Sequence, residues 1–328
     1  MKLHEIGEHE VVKMILNFVD EIPPGKNDDA HMFHKGFLLK IDGFAFHNSM
    51  LPWNTYYDMG WKAITMVTSD LVSKGSKPIV FAASLGINPS DNVENLIDTI
   101  KGLRDSAHSY NSKFIGGDTN SSQKDIWIDV VGIGELVVKY PIPRRNKIED
   151  GDYVITTGKY GLTGAAFHVY YNNLDWQELI KKYNRIFYST KRPQVQLSVL
   201  DLITELHEYI KVSMDVSDGL AYTLWTLSEI NNIAIELKDI PLDEEVLDYA
   251  QEFGLNPLNL ALYGGEEFNI VFIVSSRIED KVLEDIISKY NASIIGKVRK
   301  GEGVYYRGRI IDYTGWDHFK STTKNLGD

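Results

Sequence analysis

The 328-residue sequence contains no cysteine, which excludes disulfide bonds, thiolate metal ligands and cysteine nucleophiles. It also lacks an excess of basic residues, since 34 Lys and Arg stand against 46 Asp and Glu, a net charge of −12. Nucleic acids and anionic membranes are bound through basic patches, so we expect neither as a partner. The start of the chain lacks the apolar core of a signal peptide, and no apolar run is long enough to span a membrane. The sequence therefore predicts a cytoplasmic protein whose partners are small molecules.

Two common nucleotide-binding motifs are also missing. The P-loop pattern is absent because Gly158-Lys159 lacks the upstream glycine, and the protein-kinase motifs His-Arg-Asp and Asp-Phe-Gly do not occur. A phosphate would have to approach other glycines. The candidates are Gly116-Gly117 behind a short apolar run, and the turn at 217–219 that precedes a predicted helix.

Apolar patterning in the first part of the chain predicts strands and helices in alternation. Segments 37–46 and 125–138 are rich in Ile, Val and aromatic residues, as strands are. Segment 92–110 carries an apolar stripe with helical spacing, and 58–75 reads as a second helix with an Asp cap. The prolines and charges of 139–152 then interrupt the pattern, which indicates a domain boundary.

The second part has its own alternation of strands and helices. Helical segments are expected near 164–171, 193–210, 218–231 and 243–252, with apolar strands between them. The length suits two domains of ordinary size, and 43% apolar with 24% charged residues is a globular composition. We therefore expect an α+β (mixed α/β) fold of two domains. The N-terminal domain is placed at 1–140, and a C-terminal α/β sandwich-like domain at 141–328.

Carboxylates follow apolar runs at three places, Asp42, Asp118 and Asp215, and we expect a strand to end at each of them, the strand at 113–116 at its two glycines. A single such Asp is usually a turn former or a helix cap. Several that meet at one sheet edge would repel one another and would need divalent cations, for which oxygen ligands suit Mg²⁺ or Mn²⁺. Further acidic candidates stand in a polar turn and in a predicted helix, and these are Asp28, Asp29 and Asp70.

A set of motifs occurs in the order found in a known family. They are NDDA (27–30), SDL (69–71), KGSKP (74–78), GGDT (116–119), RNKIEDGDYVITTGKYGLTGAA (145–166), DVSDGL (215–220), LYGGEEFNI (262–270) and GWDHF (315–319). In this order they resemble thiamine-monophosphate kinase, a branch of the superfamily of aminoimidazole-ribonucleotide synthetase and selenophosphate synthetase. The resemblance spans nearly the whole chain, and the GWDHF ending favours this branch.

The resemblance implies an activity: phosphorylation of thiamine monophosphate to thiamine diphosphate, with ATP as co-substrate and several Mg²⁺ ions. It also implies a homodimer in which the N-terminal domains pair, with ATP bound near the interface. The N-terminal domain would bind ATP and Mg²⁺, and the C-terminal domain would complete the phosphate and acceptor site. Because phosphoryl transfer depends on positioning and charge stabilisation, we expect direct in-line transfer.

The resemblance assigns roles to individual residues. The implied metal ligands are Asp28, Asp29, Asp42, Asp70, Asp118 and Asp215. The implied ATP site consists of Gly116, Gly117, Asp118, Thr119, Arg145 and Ser217, of which Arg145 and Ser217, with Asp218, would act at the transferred phosphoryl group. The implied acceptor site consists of His47, Glu266, Glu267 and Trp316.

The chain departs from the family pattern in its first strands. Asn27 stands where a glycine is usual, Ile41 replaces a hydroxyl residue, and the segment 44–49 differs from the usual lining of the acceptor site. Two other functions remain open. One is a different ATP-dependent member of the superfamily, acting on an amide or formamidine type of acceptor. The other is a nucleotide-binding paralogue without catalysis.

Overall fold

The chain forms two β-sheets with helices packed on them, in a computed structural model that describes residues 5, 8–123 and 125–312. The five-stranded sheet uses residues 31–136, and the seven-stranded sheet uses residues 153–310. The segment that the sequence marks as a boundary therefore lies between the two sheets. Trp316 and the GWDHF motif lie outside the described residues. Within those residues, no helix is both long enough and apolar enough to cross a membrane.

In the residues that the structure describes, the N-terminal part contains nine elements. In chain order they are α1 (Glu8–Ile15), β1 (His31–His34), β2 (Phe37–Ala45), α2 (Phe46–Ser49), α3 (Tyr56–Ser73), β3 (Ser76–Ile87), α4 (Val93–Ser109), β4 (Lys113–Ser121) and β5 (Trp127–Leu136). The sheet order is β1-β2-β5-β3-β4, antiparallel except for the parallel pair β3 and β4.

The C-terminal part begins with strand β6 (Tyr153–Thr157). The elements after it are α5 (Leu162–Tyr171), α6 (Trp176–Lys182), α7 (Asn184–Lys191), α8 (Val199–Leu206), β7 (Ile210–Asp215), α9 (Leu220–Asn231), β8 (Ala234–Leu237), α10 (Glu244–Phe253), α11 (Pro257–Tyr263), β9 (Ile270–Val274), α12 (Asp280–Ile287), a 3₁₀ turn (Ser288–Tyr290), β10 (Ala292–Arg299), β11 (Gly303–Tyr306) and β12 (Arg309–Ile310). The sheet order is β12-β11-β8-β10-β6-β9-β7.

Helix α3 joins the two parts of the molecule. Its start is fixed by a capping box, in which the Thr55 side chain accepts from the Asp58 N–H and the Asp58 carboxylate accepts from the Thr55 N–H. The expected Asp cap is therefore wrong, because Asp58 is the third helical residue and Thr55 is the cap. Val67 and Leu71 of α3 belong to the same buried cluster as Phe272 of β9. One continuous core thus connects the two sheets through α3.

Alternating side chains give the first sheet two different faces. Buried residues of β5, such as Val130, lie toward α3, because Val67 of α3 lies against Gly132 of the same strand. On the other face, Ile41 pairs with Val131, and Ile41 and Ile115 are 57% and 68% exposed. The first sheet therefore presents an apolar face that the described residues leave open.

The helix expectations are confirmed for α3 and α4 and partly wrong beyond residue 170. The apolar stripe at 92–110 forms α4, buried at Leu103 and Ala107. The expected helix over 193–210 is limited to α8, because Ile210 already begins strand β7. Helices α6 and α7, which fill 176–191, had no counterpart in the sequence expectations. The expected class, an α+β fold of two domains, is confirmed.

Candidate active site

Three carboxylates from distant parts of the sequence meet between the two sheets. Asp29 comes from the loop before β1, Asp70 from the last turns of α3, and Asp215 from the end of β7. All three are buried, and each offers an oxygen within 4.8 Å of the others'. The expected convergence of acidic residues therefore occurs for these three. We call them, together with their neighbours Asp28 and Asp42, the carboxylate cluster.

Lys74, at the end of α3, lies inside this cluster. Its ammonium is 2.8 Å from Asp28 Oδ1 and 2.8 Å from Asp29 Oδ2, and the Lys74 side chain is 0% exposed. It also donates to the Ser213 carbonyl at 2.7 Å. An ammonium has three N–H donors, so Lys74 is fully satisfied by these contacts. The lysine ties the end of α3 to the first loop and to β7.

Lys40 and Arg144 provide two more positive charges. Lys40 in β2 is 2.8 Å from Asp70 Oδ2 and 3.5 Å from Asp42 Oδ2. Arg144, in the segment between the sheets, forms an ion pair with Asp29, and its backbone N–H donates to Asp28 at 2.8 Å. The cluster is therefore a network of both signs and not a bare acidic pocket.

Burial opposes ionisation in the centre of the cluster. It raises the pKa of Asp70; the Lys40 ammonium lowers this pKa, whereas the charges of Asp215 and Asp42 raise it further. Burial also raises the pKa of Asp215, and the hydrogen bond from the Ser69 hydroxyl and the charge of Lys40 lower it. The Ser69 hydroxyl is 2.8 Å from Asp215 Oδ2. Added positive charge would favour the ionised form of both carboxylates.

Asp42 and Asp118 do not occupy strand ends as the sequence suggested. Asp42 lies inside β2 and pairs with Val130 of β5, which puts it on the α3 side of the sheet. Asp118 lies inside β4, is exposed, and accepts from the Asn120 side chain at 3.0 Å. Asp118 is outside the group of three converging carboxylates. Of the three aspartates that the sequence placed at strand ends, only Asp215 ends a strand.

The strand at 113–116 does not end at its glycines, so that expectation is wrong. β4 continues through Gly116 and Gly117 to Ser121, with a register shift against β3. A Cβ on Gly117 would lie 1.6 Å from the Ala83 carbonyl oxygen. The close contact between β3 and β4 is therefore sufficient to require glycine at 117. Gly116 differs, because it has a φ of +99° and no atom within 4 Å of the position that a Cβ would take. Thr119, the last residue of the motif, is exposed.

A second site element lies where two predicted motifs pack together. The Ser217 carbonyl accepts from the Glu266 N–H at 2.6 Å, and the Val216 carbonyl accepts from the Phe268 N–H at 2.9 Å. Ser217, Asp218 and Gly219 directly precede α9, whose start has no side-chain cap. The turn at 217–219 therefore presents the positive end of a twelve-residue helix.

The predicted acceptor residues occupy different environments. Glu266 forms an ion pair with the buried Lys62 of α3, whose ammonium lies 3.0 Å from both carboxylate oxygens. Glu267 accepts from the Gly161 N–H at 2.7 Å, and burial raises its pKa to about 7. His47 is exposed and its ring pairs with Asp125, and the His47 backbone N–H donates to the same carboxylate at 2.8 Å.

Sequence reasoning selected Arg145 and missed its neighbour. Arg145 is exposed, whereas Arg144 reaches the carboxylate cluster. Lys40, Lys74 and Ser69 were missed as well. Lys40 two residues before Asp42, and Lys74 four after Asp70, were visible signals, because these spacings place residues on the same side of a strand or a helix.

Comparison with known proteins shows what this chain is similar to. Residues 27–136 match the family model of AIR synthase related protein, N-terminal domain. The match begins at the first acidic motif and ends with strand β5, so it covers the complete first sheet. The similarity to AIR-synthase-related N-terminal domains therefore covers residues 27–136.

Over nearly its whole length the chain is similar to thiamine-monophosphate kinases. It is 28% identical to that of Pyrococcus horikoshii, covering 96% of this chain and 97% of the relative. It is 27% identical to that of Aquifex aeolicus, covering 97% and 100%. The resemblance indicated by the motifs is confirmed.

Solved structures are similar to this chain over nearly the same length. The crystal structure of tt0281 from Thermus thermophilus has a TM-score of 0.84 at 28% identity, covering 95% of this chain and 100% of the other. The structure titled AaThiL complexed with AMPPCP and TMP has a TM-score of 0.81 at 25% identity, covering 97% and 99%. Hydrogenase maturation protein HypE, with a TM-score of 0.69 at 17% identity, shares the fold.

Proposed function

We propose that this chain is a thiamine-monophosphate kinase, which transfers the γ-phosphoryl group of ATP to thiamine monophosphate and yields thiamine diphosphate and ADP. The observation that carries the proposal is the convergence of Asp29, Asp70 and Asp215 next to the turn at 217–219. The whole-length similarity to thiamine-monophosphate kinases supports the choice of acceptor. We place the reaction in the cytoplasm.

Mg²⁺ is the proposed metal, because the converging donors are carboxylate oxygens without nitrogen or sulfur ligands. The residues that would hold it are Asp29, Asp70 and Asp215, with Asp28, Asp42 and Asp118 as the further ligands implied by the motifs. The metal would neutralise charge on the phosphates when bound. Burial of the three central carboxylates fits this role, since a buried negative group is stabilised by an adjacent positive charge.

In the proposed reaction the chain's own residues position two polyanions. Gly116 to Thr119 would contact the nucleotide phosphates, and Arg145 would donate to one of them. Ser217 and Asp218 would lie at the transferred group, where the start of α9 favours negative charge. The acceptor is an ionised phosphate, so direct in-line transfer needs no general base.

The acceptor would bind on the C-terminal side of the cluster. Glu266 is partly exposed next to the turn at 217–219 and would offer negative charge to a cationic thiazolium, and Glu267 follows it in the same loop. His47 would line the same side, and Trp316 would provide an aromatic face for the cation. Residues 1–140 would thus bind ATP and metal, and residues 141–328 would complete the phosphate and acceptor site.

A homodimer through the first sheet is part of the proposal. Ile41 and Ile115 are more than half exposed on the face away from α3, and a contiguous apolar face of this kind is typical of an interface. Sedimentation of the wild type and of Ile41→Lys tests it. A wild-type dimer that dissociates in the variant is the expected result, and a wild-type monomer would contradict it.

The test of the activity is direct. The purified chain is incubated with ATP, Mg²⁺ and thiamine monophosphate, with thiamine and no acceptor as controls. Thiamine diphosphate and ADP, formed only with the monophosphate, are the expected products. If the chain binds ATP but does not form this product, it acts on another acceptor. If ADP release does not depend on any acceptor, the chain is not a kinase of this type.

A further inference from the structure

Two lysines occupy positions between carboxylates in the centre of the proposed metal site. The Lys74 ammonium bridges Asp28 and Asp29 at 2.8 Å each. The Lys40 ammonium contacts Asp70 at 2.8 Å and reaches toward Asp42 at 3.5 Å. In both cases one compact positive charge serves a pair of acidic side chains, as a bridging cation would.

The side chains of both lysines are largely buried. Lys74 is 0% exposed at its side chain, and Lys40 is 20% exposed. Burying a lysine without a partner would be strongly unfavourable, so these ammonium groups are retained by their carboxylates. The backbone carbonyl of Ser213 completes the donors of Lys74 and fixes its direction into the cluster.

The charges of the cluster nearly balance without any added ion. Five carboxylates are gathered there, and Lys40, Lys74 and Arg144 contribute three positive charges. The formal remainder is −2, which one divalent cation would neutralise. Among the described residues, the only group of three acidic or histidine side chains close enough to share one ion is Asp29, Asp70 and Asp215.

We propose that Lys40 and Lys74 are built-in cations that replace divalent ions at the Asp42–Asp70 and Asp28–Asp29 pairs, so that the carboxylate cluster binds a single divalent cation. This deepens the proposed function and rests on its metal site. The lysines keep the carboxylates together before nucleotide arrives. The folded arrangement of the cluster therefore depends less on free Mg²⁺ than it would if the same five carboxylates had no lysines between them.

Binding of Mn²⁺ alone tests the proposal, measured by the electron paramagnetic resonance signal of the free ion during a titration. The variants are Lys40→Met, which removes the charge, Lys40→Arg, which keeps it, and Lys77→Met, which removes an exposed lysine of β3 as the matched control. No ATP or acceptor is needed, so a chain that fails the kinase assay still gives an answer here.

The expected result is one additional bound Mn²⁺ in Lys40→Met, or at least tenfold tighter binding of the existing ion. Lys40→Arg and Lys77→Met should behave as the wild type. Unfolding temperatures provide a second readout: Mn²⁺ should raise that of Lys40→Met more than that of the wild type. If Lys40→Met folds only when Mn²⁺ is added, the ion replaces the lysine and the proposal holds.

Two results would overturn the proposal. One is equal Mn²⁺ stoichiometry and affinity in Lys40→Met and the wild type. The other is a Lys40→Met chain that fails to fold even with saturating Mn²⁺, because a divalent ion then cannot take the place of the ammonium.

Discussion

The ammonium of Lys62 lies 3.0 Å from both carboxylate oxygens of Glu266. Lys62 belongs to α3 and its side chain is 1% exposed, whereas Glu266 lies in the loop after α11 and is 24% exposed. The pair therefore connects the first sheet's main helix to the proposed acceptor loop. Glu266 also has a φ of +61°, a conformation that the surrounding contacts must stabilise.

Separating Lys62 from its partner should destabilise the fold. Glu266→Gln leaves a buried ammonium with weaker acceptors, and we expect a loss of about 2 kcal/mol in the free energy of unfolding. Urea unfolding of Lys62→Met, Glu266→Gln and the double variant measures the coupling. The exposed pair of Lys159 and Glu244 is the matched control, and we expect no measurable coupling there. Equal coupling in the two pairs would contradict a special role for burial.

Asp215→Asn tests the centre of the carboxylate cluster. Asparagine keeps the shape and can still accept from the Ser69 hydroxyl, but it removes a charge that would hold a cation. We expect kcat to fall by about a hundredfold or more, with an unchanged circular dichroism spectrum. Asp98→Asn, on the exposed side of α4, is the control and should keep full activity. Turnover close to wild type in Asp215→Asn would remove this residue from the site.

Local patterns in the sequence were sufficient for much of the fold. The stripe that includes Leu103 and Ala107 predicted α4, because helical spacing and burial agree there. The same kind of reasoning failed at Asp42 and Asp118. A carboxylate followed by glycine or a hydroxyl residue is a common strand end, but β2 and β4 continue past it because their partner strands pair with the following residues.

The site was harder to predict because its charges come from five separate segments. Asp70 and Asp215 were recognised as acidic motif positions, yet nothing in the sequence pairs them with Lys40 or Arg144. Such contacts depend on how α3 packs between the two sheets, which is a tertiary property. Sequence patterns select candidates for charge, and only the packing decides which of them become partners.

Gly117→Ala and Gly116→Ala separate a structural glycine from a functional one. A Cβ at 117 would collide with the Ala83 carbonyl oxygen, so we expect Gly117→Ala to lose about 2 to 3 kcal/mol of stability or to open the pairing of β3 and β4. Gly116→Ala meets no atom and costs only the strain of its positive φ, about 1 kcal/mol. Urea unfolding measures both losses.

Gly116→Ala should nevertheless raise the KM for ATP, if the backbone at 116 approaches a phosphate. The wild-type KM in a folded Gly116→Ala chain would limit the role of this motif to strand packing. Equal stability losses in the two variants would contradict the distinction between them.

Glu267 should make stability depend on pH. Burial raises its pKa from the ordinary 4.5 to about 7, so between these values the folded chain holds a proton that the unfolded chain has released. The stability from this group is therefore full below pH 4.5 and is lost as the pH rises toward 7, by up to about 3 kcal/mol. Glu267→Gln can still accept from the Gly161 N–H but does not titrate.

The measurement is the difference in unfolding free energy between Glu267→Gln and the wild type across that pH range. We expect the difference to shift in favour of the variant as pH increases and to level off above pH 7. The exposed substitution Glu94→Gln is the control and should follow the wild type. Parallel curves for Glu267→Gln and the wild type would show that folding does not raise the pKa of Glu267.

Arg144 and Arg145 are adjacent and should respond differently to replacement by alanine. Arg144 pairs with Asp29, whose side chain is 0% exposed, so Arg144→Ala leaves a buried carboxylate with one partner fewer. We expect a loss of about 2 to 3 kcal/mol in unfolding free energy, because a buried carboxylate that loses one of its two cations is less well compensated. Arg145 is exposed, and Arg145→Ala should leave stability unchanged.

Kinetics then decide which arginine serves the phosphates. The Arg144 Nε–H is buried and has no hydrogen-bond partner among the described residues, so Arg144 retains a donor that a phosphate oxygen could use. A higher KM for ATP or for thiamine monophosphate in Arg145→Ala, at unchanged stability, would support the role that the motifs imply. Unchanged kcat/KM for both substrates would leave Arg145 as a solvated charge. Arg144 would then be the candidate for the phosphate contact. Arg144→Lys separates its two roles, because lysine keeps the positive charge at Asp29 but lacks the Nε–H donor.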